Sequence, residues 1–212
     1  QWGDASLVKV TLSQTEIDAQ GDEQDFNFPS TATQGLVIDA DQNYASKQQF
    51  ANLLLQTGYF GWQQQMNISE SKNRSRFFDT GTLVSGLNGE RSKVDLQTSK
   101  LVQVGDLTHS LLIGAQYEGR EFENIYPSIG GANYKAKDRQ QSLAGEYVLQ
   151  TPNRSIALSV RADDNQRFDN ATTSRVTLSQ NLPQNFRLHS SWGQGIVNPT
   201  FFELFGFTPN SF

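Results

Sequence analysis

Cysteine is absent from the 212 residues, which removes disulfides, thiolate catalysis and cysteine metal sites together. Histidine occurs only at His109 and His189, with no His-x-x-x-His or His-Glu spacing to hold zinc. No run approaches the roughly 18 apolar residues of a membrane-spanning helix. Basic excess is missing too: the net charge is -5, with no Lys/Arg cluster, so nucleic acid has nothing to bind. A basic-then-apolar leader does not precede the first strand pattern. Ser190 and Ser191 stand near His189, yet neighbouring strand residues point to opposite faces, and nothing nearby is placed to orient the imidazole. Gly193-Gln194-Gly195 lacks the third glycine and following helix of a dinucleotide site.

What the chain has in abundance is alternation. Hydrophobic residues make up 36% and mean hydropathy is -0.55, values that fit either a soluble protein or a barrel with one face towards lipid. Period-two segments recur along the chain, broken by polar, Gly, Pro or Asn punctuation. They cover 6–16, 47–56, 59–71, 91–102, 109–122, 139–150, 155–164, 172–182 and the strand that opens at Phe186, nine in all. One face carries Val8, Val10, Leu12, then Phe60, Trp62, Met66, Ile68, and finally Phe186, Leu188 and Trp192. The opposite face carries Asp95, Glu118, Arg120, Glu146, Arg161, Arg175 and Arg187. Long connections are expected at 17–46, 73–89 and 123–137, alternating with tight turns, as in outer-membrane barrels. A sandwich with Greek-key crossings has no reason to sort its loops this way. Strands of 10–13 residues suffice to cross a bilayer at a tilt.

The most informative stretch is 186–207. Ser191-Trp192-Gly193-Gln194-Gly195, followed by Pro199-Thr200 and Glu203-Leu204-Phe205, resembles the mid-barrel signature of TonB-dependent outer-membrane receptors. In that family an aromatic-Gly-x-Gly strand leads to Pro-Thr/Asn-x-x-Glu/Gln-Leu-Tyr/Phe. Trp192, Gly193, Gly195, Pro199, Glu203 and Leu204 carry the match. Asn198 replaces the usual Ala, and Ile196-Val197 stands where an aromatic-basic pair is usual. The expected fold is all-β: an antiparallel up-and-down transmembrane β-barrel, of which these are about nine strands out of about 22. An odd strand number cannot close an antiparallel barrel, and the charged face is too polar for a small packed one. Residues 1–212 are therefore expected to be a partial barrel domain, and the resemblance implies a plug before Gln1 and further strands after Phe212.

The resemblance implies no enzyme activity. It implies binding and import of a scarce nutrient, such as a siderophore–iron complex or cobalamin, in a Gram-negative outer membrane. The implied partners are outer-membrane lipid, the small nutrient or metal chelate, and the TonB energy-coupling protein acting through the plug. A passive porin or adhesin barrel is the alternative, and a soluble β-rich protein a third; an upstream plug would distinguish the first. Phe60, Trp62, Tyr147 and Trp192 suit an interface belt. Tyr126, Tyr134, Phe201, Phe202, Phe205 and Phe207 fall in connections, where they either grip a ligand or pack together to order the loops. Asp39-Ala40-Asp41-Gln42-Asn43 opens like a calcium loop, but Tyr44 and Phe50 occupy the places of the turn glycine and bidentate glutamate. That excludes an EF-hand. It leaves a loop calcium at Asp39 and Asp41, with Asp18, Asp22, Glu23 and Asp25 nearby, or a solvated acidic loop.

Overall fold

The computed structural model describes residues 6–126 and 133–205, without the side chains of Phe202 and Phe205. Nine strands form one antiparallel sheet in chain order, β1 (Leu7–Gln24), β2 (Val37–Tyr59), β3 (Trp62–Asp79), β4 (Thr82–Val104), β5 (Leu107–Ile125), β6 (Tyr134–Gln150), β7 (Arg154–Asn165), β8 (Ala171–Asn181) and β9 (Arg187–Gly193). A five-residue helix, α1 (Phe201–Phe205), follows. The sheet is not closed: β1 and β9 are its two edges.

Register decides which way each side chain points. Val8, Leu55, Met66, Leu96, Ala115, Leu143 and Ala162 are successive cross-strand partners and so share one face. Asn52, Ser69, Lys93, Glu118 and Gln140 form such a row on the other face. The apolar face is open, with Leu12 76% exposed and Leu143 61% exposed. Only Phe122 and Ala136 are buried apolar residues among those described, and both lie on the polar face. Glu118, Asp138, Ser142 and Asp163 are buried there as well. A soluble protein would bury the first face and wet the second. This sheet does the reverse, as a wall between hydrocarbon and water must.

Several boundaries depart from the sequence reading. β2 and β4 each run 23 residues, and β1, β3 and β5 run 18 or 19, well beyond the expected 10–13. The long connection expected at 17–46 shrinks to 25–36, because the β1–β2 ladder continues past the expected strand ends through pairs such as Asp18↔Ala45 and Gln20↔Asn43. Backbone pairing needs no apolar face, so alternation fades above the lipid while the ladder goes on. The connection expected at 73–89 is a two-residue turn, Thr80-Gly81. Both residues adopt positive φ (48° and 75°), the geometry that matches strand twist in tight hairpins. The sorting of loops is thus broken at this hairpin. Phe60 does not sit on a strand: with Gly61 it forms the β2–β3 turn, its ring edge-on to Tyr59. Trp62, Tyr147 and Trp192 keep their outward positions.

Candidate functional site: the charged wall and its capped helix

Three rows of the polar face carry a dense ion-pair network near the long-loop edge. Arg91 donates to Glu118 at 2.7 Å, and the Arg120 guanidinium lies 3.7 Å from Glu118 and 2.5 Å from Asp138. Farther round the sheet, Asp163 accepts from Ser142 (2.5 Å), Gln140 (2.8 Å) and Arg161 (2.9 Å). Glu118, Asp138 and Asp163 each face an arginine, the condition under which buried charges are tolerated, although Asp138 Oδ1 and Arg120 Nε make no hydrogen bond. Arg175 and Arg187, two of the basic residues expected on this face, hydrogen-bond Ser191 and Ser179 between β8 and β9.

The signature segment returns onto this wall. Leaving β9, Gln194 donates its backbone N–H to the Ser174 carbonyl at 2.9 Å, and Asn198 donates to Asn165 at 3.3 Å. Thr200 and Glu203 then form a reciprocal capping box. Glu203 accepts from the Thr200 backbone N–H (2.7 Å) and hydroxyl (2.9 Å), and the Glu203 N–H donates to the Thr200 hydroxyl (3.2 Å). These bonds, the backbone one first, hold the Glu203 carboxyl below its ordinary pKa. The cap starts α1 where its first ring can reach the wall. Phe201 stacks on Phe122 with 5.9 Å between centroids, and the guanidiniums of Arg120 and Arg167 lie 5.6 and 5.8 Å from its ring. Leu87, Tyr134 and Leu204 complete the apolar cluster around Phe122 and Ala136. Beside Phe201 a cavity of about 520 Å³ opens along the wall, lined by Gln48, Phe50, Arg91, Arg120 and Phe122.

The fold brings some sequence candidates together and separates others. Tyr134 is the first residue of β6 rather than a loop residue, and with Phe201 and Leu204 it packs into the cluster. Tyr126 lies just past β5, its N–H donating to Asn133 across the connection. Phe202 and Phe205 belong to α1, with side chains outside the described residues; Phe207 lies outside them altogether. Trp192 points to the apolar face and is 61% exposed. Gly193 has a packing reason: an added Cβ would meet the Arg175 side chain at 3.1 Å and the Ser174 carbonyl at 3.3 Å. Gly195 has no atom within 4 Å of that position, and nothing in the structure explains it. Pro199 immediately precedes the cap.

Asp39 and Asp41 are on strand β2, not in a loop, exposed and two positions apart on one face. Asp18, Asp22 and Glu23 lie on β1. Among the described residues no three His, Asp or Glu side chains converge on a metal position. Asp25 is otherwise engaged: its carboxylate accepts from Thr31, from Thr33 at 2.6 Å, and from the backbone and side-chain nitrogens of Asn27 at 3.0 and 2.9 Å. Those bonds, Thr31 first, lower its pKa to about 2. His109 faces outward, with Nδ1 2.7 Å from the Tyr147 hydroxyl, and His189 lies across the sheet from Ser179 on the opposite face. The two histidines share no site. Sequence reasoning missed Phe50, Arg91 and Phe122 as site residues, although Phe122 keeps the parity of Arg120 and so puts an aromatic ring on the polar face of β5.

A sequence profile of the TonB-dependent receptor-like β-barrel family matches residues 2–211. The chain belongs to that family. The siderophore receptor PirA from Pseudomonas aeruginosa has a similar fold, with a TM-score of 0.67 at 14% identity. The match covers 78% of this chain and 29% of PirA, so the receptor chain described here spans well under half the length of that protein. No curated protein matches. The family is one of outer-membrane receptors and transporters, not of enzymes.

Proposed function

We propose that the receptor captures and imports a small, scarce nutrient, a siderophore–iron complex or cobalamin. TonB would supply the energy through a plug held against the charged wall. The observation that carries this reading is the capped helix. It gives a receptor an aromatic surface fixed beside a cavity lined by Arg91 and Arg120. Tyr126, Phe201, Phe202 and Phe205 are the proposed ligand-side aromatics, with Tyr134 supporting Phe201 from below. Calcium at Asp39 and Asp41 belongs to the same proposal. Two carboxylates on one strand supply only part of the six to eight oxygens the ion takes, so ligand or plug would contribute the rest.

The test is uptake of labelled chelates by cells expressing the full-length receptor, with and without TonB. Uptake of one chelate that disappears without TonB is the expected result. Equal uptake in both strains would overturn the reading in favour of a passive porin, and no uptake together with cell–cell adhesion would favour an adhesin.

A further inference from the structure

Towards the tight-turn edge the apolar face carries a row made of Tyr59, Trp62, Lys100, Leu111 and Tyr147, with Val102 and Val104 following Lys100 on β4. In outer-membrane barrels the tight turns are periplasmic, so this row lies at the periplasmic interface. Trp and Tyr are expected at such a height, and a lysine beside them holds a cation at headgroup level. The Lys100 ammonium is fixed 5.3 Å from the centroid of the Trp62 ring, its cross-strand partner. Among the described residues it joins none of the ion pairs, which all lie elsewhere on the sheet.

The next row towards the membrane centre interrupts the apolar band with hydrogen-bonding side chains: Thr57, Gln64 and Thr98 are successive partners facing lipid. These three form one side of a furrow of about 680 Å³ whose lining continues with Leu55, Met66, Leu96, Ile113 and Ala115. Along β4 a cation, an uncharged donor and an apolar side chain follow one another on this face, Lys100, Thr98 and Leu96. That is the order of a phospholipid: phosphate, glycerol esters, acyl chain.

We propose that this strip is a specific phospholipid site, with the phosphodiester on Lys100, the ester region at Gln64 and Thr98, and one acyl chain in the furrow. Charge complementarity and the position of the furrow inside the lipid-facing band both select a lipid over another protein. The site rests on the outer-membrane placement and not on the transport reading, and its test does not involve the nutrient.

Full-length receptor, folded in an uncharged detergent and checked by heat-modifiable gel mobility, is titrated with phosphatidylglycerol and followed by native mass spectrometry. One tightly retained lipid is expected. Lys100→Ala should weaken its apparent affinity about fivefold, the size of one juxtamembrane cation. Ala115→Leu, which fills the furrow and leaves the cation in place, should strip it as well. A diacylglycerol with the same chains should bind poorly, and inorganic phosphate should not displace the lipid. Retention unchanged in Lys100→Ala, or diacylglycerol binding as tightly as phosphatidylglycerol, would overturn the headgroup assignment. Displacement by inorganic phosphate, or Ala115→Leu with wild-type retention, would overturn the acyl furrow.

Discussion

The β1–β2 and β3–β4 hairpins leave the same edge of the sheet and end in opposite ways. The β3–β4 hairpin closes in two residues, and its order resides in the backbone dihedrals of Thr80 and Gly81. The β1–β2 connection runs from Asp25 to Leu36, and its order resides in one carboxylate. Asp25 is tied by its backbone to Leu36 and Gly35 and by its side chain to Asn27, Thr31 and Thr33. Around it Phe26 and Phe28 remain 71% and 95% exposed, so no apolar core holds the loop. Stereochemistry ends one hairpin and electrostatics the other. The two should therefore fail under different conditions.

Asp25→Ala should open the first connection while leaving the second intact. Limited proteolysis of the folded receptor should show cleavage within 25–36 faster by on the order of tenfold, as expected when several bonds to one charged acceptor are lost. Unchanged cleavage would mean that the loop is held by something other than its carboxylate. Acid is the next test. The folded pKa of Asp25 is depressed to about 2 from 3.8. Its contribution is thus complete above the unfolded value and is lost as pH falls from about 4 through 2. Hydrogen exchange across 25–36 should accelerate over that window, and exchange at Thr80-Gly81 should not.

The α1 cap belongs with the electrostatic hairpin. Glu203→Ala should expose the Thr200 and Glu203 amides to exchange and loosen Phe201 from Phe122. Because the Glu203 carboxyl is held below its ordinary value, the same loosening should appear in the wild type as pH drops below the usual glutamate range. The smallest effects belong to the stereochemical turn. Gly81→Ala meets no atom within 4 Å and suffers only from its φ, a cost of about 1 kcal/mol. Thr80→Asn should move the other way by roughly 0.5 kcal/mol, since asparagine accepts positive φ before glycine more readily than threonine does. Thermal midpoints of the heat-modifiable band would read both.

What was legible in the sequence followed the environment. Where lipid lies on one side and water on the other, as from Val8 to Leu12 or Ile156 to Val160, side chains must alternate, and face and register follow from residue type. Above that band both faces meet water. Asp18, Gln42, Arg74 and Asn88 belong to no apolar alternation, although their backbones remain paired, so strand appeared as loop. The Thr80-Gly81 turn carried a glycine but not the asparagine or aspartate that marks such hairpins. The signature segment was legible as a family resemblance. Its local mechanics were legible as well, since Thr200-x-x-Glu203 is a helix-start pattern. That Phe201 would land on Phe122 was not, because the two lie far apart in sequence and only the curvature of the route from β9 brings them together.

The length of the paired strands has a consequence for height. At about 3.3 Å per residue, the 23 residues of β4 extend roughly 75 Å, and at a tilt near 45° they rise about 53 Å. The hydrocarbon core occupies only about 30 Å of that. With tight turns keeping the periplasmic rim low, most of the remainder stands as a parapet above the outer leaflet, hydrogen-bonded along its length. Anything approaching from outside first meets that hydrogen-bonded rim, well before it reaches the surface of the bilayer.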